Sequence, residues 1–503
     1  MKINPNFDKI QDPEYVDFNF DNSFARELEG FFVPCKPSTV PEPSLLIFNQ
    51  PLAEKLSLDT SALQGPLGAE IFSGNRLPHG AIPLAQAYAG HQFGSFSPQL
   101  GDGRALLLGE IIDKRGERQD FQLKGSGRTP FSRSGDGKAA LGPVLREYLI
   151  SEAMQALGVP TTRSLAAVST GEEVFREIAL PGAVLTRIST SHLRVGTFEF
   201  FAARGQTDMV RRLANYAISR HYPMAHDADN TYLEFFKSVT SAQIKLVAHW
   251  MSIGFIHGVM NTDNTTISGQ TIDYGPCAFM DTFSPKTVFS SIDLRGRYAY
   301  GNQPSILMWN LVRLAETLAP LVHTDKDHAV ELLTEEAKNF KSAYNDIWLT
   351  HMRAKIGLNT EENGDSDLIQ DLLNAMQEGE ADFTLTFRRL SNAMRGDNTA
   401  VRKQFINPAQ YDLWECEWHA RLEREPASAE ARATAMDKIN PIYIPRNHKV
   451  EEALSMAIDN GNLSAFENIL SAVSAPFEEV SGRESYTEPA LKTSVPYQTF
   501  CGT

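Results

Sequence analysis

The sequence predicts an α+β protein with a small sheet-rich lobe, a larger helical lobe and a helical C-terminal extension. Three observations carry this expectation. Residues 1 to about 90 are rich in proline and turn residues, as in VPCKPSTVPEPS. From about 98 to 200 short apolar runs dominate, and after 205 the apolar spacing becomes helical. Strands with one helix, followed by helices, are the pattern of an α+β arrangement.

Taken in order, the first 90 residues read as an irregular lobe wrapped on something larger. The runs ALLLGEII, DFQLKG, SLAAVST, VFREIAL and GAVLTRI then read as strands. One helix interrupts them from Pro143 to about Leu157, with proline pre-setting the first turn and Gly158 following the last. Beyond 205, MVRRLANYAISRHY and YLEFFKSVTSAQIKLVAHWMSIGFI read as helices, and further helices reach about 475, broken by NTEENGDSD and NPIYIPRNH. The expected division is 1–90 as an N-terminal extension, 91–345 as the core, and 346–503 as a helical region with a mobile, cysteine-containing tail.

Composition narrows the function classes. A hydrophobic share of 42% and a charged share of 22% allow a large core. No 18-residue uninterrupted apolar run occurs, and the acidic N-terminus MKINPNFDKIQDPEYVDFNF has no apolar h-region. A cytoplasmic monomer with no membrane partner is expected. The net charge of −15 disfavours nucleic acid, which basic surfaces bind. Against that charge, Lys124, Arg128, Arg133, Lys138 and Arg146 crowd one glycine-rich window with a single acid, Asp136. Such a window suits a compact anion. Four cysteines without a CxxC pair suggest neither a zinc site nor a disulfide framework.

Several motifs sharpen this. In QLGDGRALLLGE, Gly101 and Gly103 permit a tight turn whose amides can approach phosphate, with Arg104 adding charge, although a plain hairpin turn reads the same way. Lys124 ends an apolar strand and precedes a loop made pliable by Gly125, Gly127, Gly135 and Gly137; no Walker A pattern is present. Glu147 lies on one stripe of the following helix with Ile150 and Met154. A glutamate there prefers a cation, and Lys124 is the candidate, as in the lysine–glutamate pair of protein kinases. Arg187 and Arg194 are candidate phosphate clamps.

The stretch HGVMNTDNTTISGQTIDYGPCAFMD completes the series. Aligned on the kinase catalytic loop, His257 takes the histidine position, Asn264 the asparagine, and Asp273-Tyr274-Gly275 the place of D-F-G. Asn264 and Asp273 are hard oxygen ligands suited to Mg²⁺ on nucleotide phosphates. Val259, however, stands where the kinase base should be, and Asp263 is the nearest carboxylate able to accept a proton. A protein-kinase-like bilobal fold is therefore expected, running a transfer other than the usual one, or binding nucleotide only.

QLKGSGRTPFSRSGDGKAALGPVLREYLISEAM, LTRISTSHLRVGTFE and the stretch above resemble the selenoprotein O family of pseudokinases, from about residue 20 to the C-terminus. The resemblance implies a kinase-like fold holding ATP reversed, and transfer of AMP from ATP to Ser, Thr or Tyr hydroxyls of proteins with release of pyrophosphate. Carried over by position, it implies nucleotide contacts from Gly101, Gly103, Arg104, Lys124, Asp136, Gly137, Arg187, Arg194 and Asp273. Glu147 would pair with Lys124. Asp263 would accept the proton, and Asn264 and Asp273 would hold Mg²⁺, with Mn²⁺ as the alternative. A kinase, or a non-catalytic ATP-binding regulator, are the other readings. The family's redox role for a cysteine third from the end would fall on Cys501; the segment after DYG carries Ser290 and Ser291 rather than a cysteine, leaving Cys277 as the one thiol near the motif.

Overall fold

The computed structural model describes residues 17–491, 497 and 499. Cys501 lies outside them. The chain divides into two compact units, one formed by residues 1–86, 102–140 and 164–190, the other by 87–101, 141–163 and 191–503. The first is sheet-rich and the second mainly helical, the α+β composition expected.

The sheet of the first unit has strands Phe32–Pro34, Leu84–Gln86, Ala105–Ile112, Arg118–Lys124, Ala179–Ser189, Arg163–Phe175 and Ser44–Phe48, in that spatial order. The short strand Ala139–Ala140 pairs with Ala179–Ser189 off this path. Residues 176–178 join the two long strands, a connection only an antiparallel pair permits. VFREIAL, expected as one strand, therefore spans the end of one strand, the bend and the start of the next. Its Phe175 and Ile178 are 72% and 67% exposed, so alternation there reflects a hairpin tip rather than a buried face.

Alternation along the strands sets two faces. Phe121 and Leu123, with Val184 and Ile188, point into a core that includes Phe18, Leu52, Phe72, Leu108 and Leu165. Residues 23–73, expected to be irregular, supply much of that core through the helices Gln50–Lys55 and Pro66–Ser73 and the strand Ser44–Phe48. Their prolines stand at helix starts: Pro51 and Pro66 each occupy a first-turn position, where no amide donor is needed.

In the second unit the helix expected from Pro143 runs from Leu141 to Ala156, with Gly158 at φ +79 just beyond it. The long apolar helix spans Thr231–Ile253 and ends at Gly254, whose φ of +72 caps it and releases Phe255–His257 as a strand. That strand pairs antiparallel with Cys277–Phe279, His257 opposite Cys277. One helix, Gln303–Val322, lies in a stretch long and apolar enough by length and composition to cross a membrane. It is a packed helix that spends polar side chains inward, Gln303 on Phe255 and His257, and Asn310 on Met260 and Thr265.

The helices beyond 345 are fastened to this region by Arg446. Its fully buried guanidinium donates to Asp281 (2.6 Å) and to both oxygens of Asp382 (2.6 and 3.0 Å). Asp382 in turn caps the helix Phe383–Met394 through the Leu385 amide. Burial pushes the Asp382 carboxyl upward and Arg446 opposes it. Removing the cation strands two carboxylates, a loss of about 3–5 kcal/mol for a broken buried pair. Arg446→Met is expected to lower the thermal midpoint by that equivalent, whereas Arg389→Met, at a half-exposed pair with Glu479, changes it little; calorimetry on the two variants checks this.

Candidate functional site

Each unit presents its own part of the predicted set. In the first unit, Lys124 stands opposite Leu185 and Ala105, and Arg187 opposite Gln122. Cross-strand partners share a face, so Lys124, Gln122 and Arg187 lie together on the face away from the Phe121 core. Arg187 is 2% exposed and donates to Gln122 Oε1 at 3.3 Å.

The glycine turn is stitched to the loop after Lys124. The Gly125 amide donates to the Arg104 carbonyl (2.7 Å), Thr129 Oγ1 to the Asp102 carbonyl (2.6 Å), and the Ser132 hydroxyl to Gly103. This loop, expected to be pliable, is closed on itself instead: Gly137 at φ +70 approaches Gly127 so closely that a Cβ would sit 2.1 Å from its carbonyl oxygen. Asp136 is held in that loop, accepting from Arg176 at 2.9 and 3.2 Å and from the Lys138 amide. Burial pushes its carboxyl up, and Arg176 with the amide brings it below the usual range.

In the second unit the two motif strands close a loop, residues 258–276, that carries Asp263, Asn264 and Asp273. His257 fixes both of its ends. Its Nε2 lies 2.9 Å from the Ile272 carbonyl and its Nδ1 receives the Val259 amide, a pattern that makes Nε2 the protonated nitrogen. Burial holds the ring neutral by pulling its pKa down. Tyr274, where kinases have phenylalanine, is buried with its hydroxyl on Thr161 and its ring edge on Phe255. Between these anchors Asp273 is forced to φ +60, a left-handed conformation that a non-glycine residue adopts at a cost of about 1–3 kcal/mol.

Asp263 sits in a one-turn 3-10 helix, Thr262–Asn264, and is 8% exposed. Gln92 donates to its Oδ2 at 3.2 Å, while Oδ1 is buried with no hydrogen-bond partner among the described residues. Burial raises its pKa to about 6; Arg194 works against that shift and Asp273 adds to it. Arg194, 2% exposed, lies over the Tyr88 ring at 4.3 Å and begins the helix Val195–Ala202. The Asn264 amide nitrogen donates to the Val259 carbonyl at 2.9 Å, which leaves the carboxamide oxygen for other partners. Val259 thus serves the loop through its backbone. Glu147, 3% exposed, lies on the helix Leu141–Ala156 of this same unit.

Residues that sequence reasoning missed surround Asp263. Gly90 and Gln92 belong to a short hairpin, Gly90–Gln92 with Ser95–Ser97. A Cβ on Gly90 would lie 2.6 Å from Asp263 Oδ1, and one on Gly196 would lie 2.2 Å from the Ala89 carbonyl. The intervening His91 turns to the other side, where its Nδ1 meets Glu199 at 2.5 Å and Glu199 accepts from Thr262 at 2.5 Å. Asn261 Oδ1 accepts from Tyr298 (2.5 Å) and from the Phe93 amide (3.2 Å). The only sequence signal was a glycine and two polar residues, GHQFG, in an apolar neighbourhood.

Among the described residues no three His, Cys, Asp or Glu side chains gather as a metal site. Cys277 is buried. Ser290 bridges to Thr499, whose amide and hydroxyl both reach the Phe289 carbonyl.

Over residues 14–474 the sequence matches the family model described as protein adenylyltransferase SelO. A protein nucleotidyltransferase YdiU of Cereibacter sphaeroides (strain KD131 / KCTC 12085) is 59% identical over 488 residues, 97% of this chain and 100% of the relative. Those of Rhodopseudomonas palustris (strain HaA2) and Rhizobium leguminosarum bv. trifolii (strain WSM2304) are each 56% identical, across 97% of this chain and 100% and 97% of their own lengths.

The Gly90 contact yields a specific expectation. Gly90→Ala pushes the Asp263 carboxylate from its seat while leaving the core untouched. A displacement of about 1 Å costs roughly a hundredfold in rate. Turnover should fall by that order with the thermal midpoint unchanged, as steady-state assays beside calorimetry would show.

Proposed function

Because the chain belongs to the SelO family of protein adenylyltransferases and is a nucleotidyltransferase, we propose that it transfers AMP from ATP to Ser, Thr or Tyr hydroxyls of other proteins, with Asp263 as the base. The observation that carries this reading is the Asp263 carboxylate. It is buried, one oxygen is held by Gln92 and the other has no partner among the described residues, while the kinase base position holds the inert Val259. A buried acid is kept in that state where an incoming donor completes it. An acceptor hydroxyl is such a donor.

In the proposed step Oδ1 takes the hydroxyl proton as the oxygen forms a bond to the α-phosphorus. The bond from that phosphorus to the bridging oxygen breaks, and pyrophosphate departs. A carboxylate whose pKa lies near 6 accepts a proton at neutral pH more effectively than one at the ordinary value. Arg194 keeps it ionised from behind its stacking on Tyr88.

Asn264, with its amide nitrogen tied to Val259, and Asp273, held at φ +60, offer hard oxygen donors on the same loop. That donor set fits Mg²⁺ or Mn²⁺, with phosphate oxygens and water completing the shell. Such an ion, when bound, neutralises charge on the phosphates. Lys124 and Arg187, sharing one sheet face, together with the glycine turn and its Arg104, are the proposed phosphate contacts of the first unit. Gly101, Gly103, Asp136, Gly137 and Glu147 retain the roles implied by position.

ATP labelled separately at the α and γ phosphates tests the reaction. Label from α alone should reach protein; label from γ alone would make the enzyme a kinase. Asp263→Asn should retain ATP binding and lose about 10²–10⁴-fold in transfer, whereas Asp273→Ala should lose the metal dependence of nucleotide binding itself. Full activity in either variant removes that residue from its role.

A further inference from the structure

The hairpin that seats Asp263 packs at its turn against a cation, Arg297, that has no carboxylate partner among the described residues. Its turn is made by Phe93 at φ +52 and Gly94 at φ +84. A Cβ on Gly94 would lie 3.5 Å from the guanidinium carbon of Arg297. That guanidinium lies 4.9 Å from the Trp309 ring centre and 5.8 Å from that of Tyr298. Arg313 lies over the same indole at 4.9 Å, but it is already ion-paired to Glu316 at 2.8 Å. Arg297 makes no salt bridge among the described residues, and its Nε is buried without a hydrogen-bond partner.

The loop that carries this cation is tied both to the hairpin and to the segment that precedes Asp263. The Asp293 carboxylate accepts the amides of Arg297 (2.9 Å) and Tyr298 (2.7 Å), fixing the loop backbone. Tyr298 then donates to Asn261, two positions before Asp263, and its hydroxyl also receives the Phe93 amide. On the same loop Ile292 and Leu294 are 59% and 92% exposed, and Arg295 is exposed as well. In a chain of net charge −15, this places an arginine without a carboxylate partner among the described residues, and bare aliphatic side chains on its loop, beside the tyrosine that bonds Asn261.

We propose that Arg297, backed by Trp309 and flanked by Leu294, is a specificity residue that receives an acidic side chain close to the acceptor hydroxyl of a protein substrate. The occupant is an extended segment carrying Asp or Glu within a few residues of the modified Ser, Thr or Tyr. Charge complementarity selects it: a carboxylate would complete the Arg297 cation, which has no ion-pair partner among the described residues, whereas a basic segment meets Arg295 and Arg297 with like charge. The guanidinium plane, already backed by an indole, suits a carboxylate better than an ammonium would. This inference rests on the adenylyl-transfer reading only in naming the segment as substrate.

The test measures binding and transfer separately on the full chain. Labelled peptides with a central Ser, Thr or Tyr and either Glu or Lys at the flanking positions are titrated by fluorescence anisotropy at low salt, without nucleotide. The wild type should bind Glu-flanked peptides about fivefold more tightly, the scale of one well-placed exposed ion pair. Arg297→Glu should reverse the order and Arg297→Gln abolish it, both with an unchanged KM for ATP and an unchanged melting temperature. Equal preference in all three proteins overturns the assignment. So does a raised KM for ATP with unaltered peptide preference, which would place Arg297 on the nucleotide. A Glu preference that follows Arg297 while no α-label reaches peptide would keep the docking surface and refute adenylyl transfer.

Discussion

The antiparallel pairing of Phe255–His257 with Cys277–Phe279 is the constraint on which the site depends. It brings together the two ends of a loop that otherwise has little regular structure, and so decides where Asp263, Asn264 and Asp273 stand. One histidine reinforces the closure from inside. The His257 ring bonds the Ile272 carbonyl, while the Gln303 side chain spans the His257 amide and the Phe255 carbonyl. Burial keeps that ring uncharged, so the bond survives as a neutral one. A charged imidazole in the same place would need an anion, and the carboxylate whose charge acts on this ring is Asp273, which the proposed metal role requires.

Around this loop the protein tolerates three departures from easy folding. An aspartate sits at positive φ, a carboxylate oxygen is buried without a donor among the described residues, and two glycines leave no room for a methyl group. The orphan oxygen alone costs about 1–3 kcal/mol. Costs of the same kind occur elsewhere among the described residues: Ser57 and Arg133 also take positive φ, and Gly68 and Gly137 also leave no room for a methyl group. What sets this loop apart is that such costs coincide with hard oxygen donors on the same segment, the situation from which a functional hypothesis starts.

Much of this could be read in the chain beforehand, and what could not has an identifiable cause. ALLLGEII, DFQLKG and the helix after Pro143 were legible because their periods are regular and glycine or proline punctuates them. The first 90 residues read as irregular because proline reads as a breaker, whereas Pro51 and Pro66 stand in the first turns of helices. Within the site, His257, Asn264 and Asp273 were visible through fixed spacing. Gln92, Glu199 and Tyr298 were not, because each acts across a long sequence separation and no local pattern connects them to Asp263 or Asn261. The pliable loop after Lys124 was the reverse error. Its glycines exist for close backbone approach, and flexibility was the wrong inference from them.

The region beyond 345, which carries no chemical motif, becomes intelligible through the outer strand of the motif hairpin. Asn447 donates to the Phe279 carbonyl at 3.1 Å, and Arg446 holds Asp281 just after it. From another side Arg146, adjacent to Glu147, donates to the Cys277 carbonyl at 2.8 Å and to Glu451 and Tyr497. The backbone of Cys277–Phe279 is therefore gripped at both ends by arginine and asparagine side chains from helices distant in sequence. An edge strand with only one partner strand has free carbonyls that water would otherwise compete for. Supplying those carbonyls with buried donors makes the short pairing rigid enough to hold the loop. A segment without a chemical motif can thus be as necessary to the geometry of the candidate site as the loop that forms it.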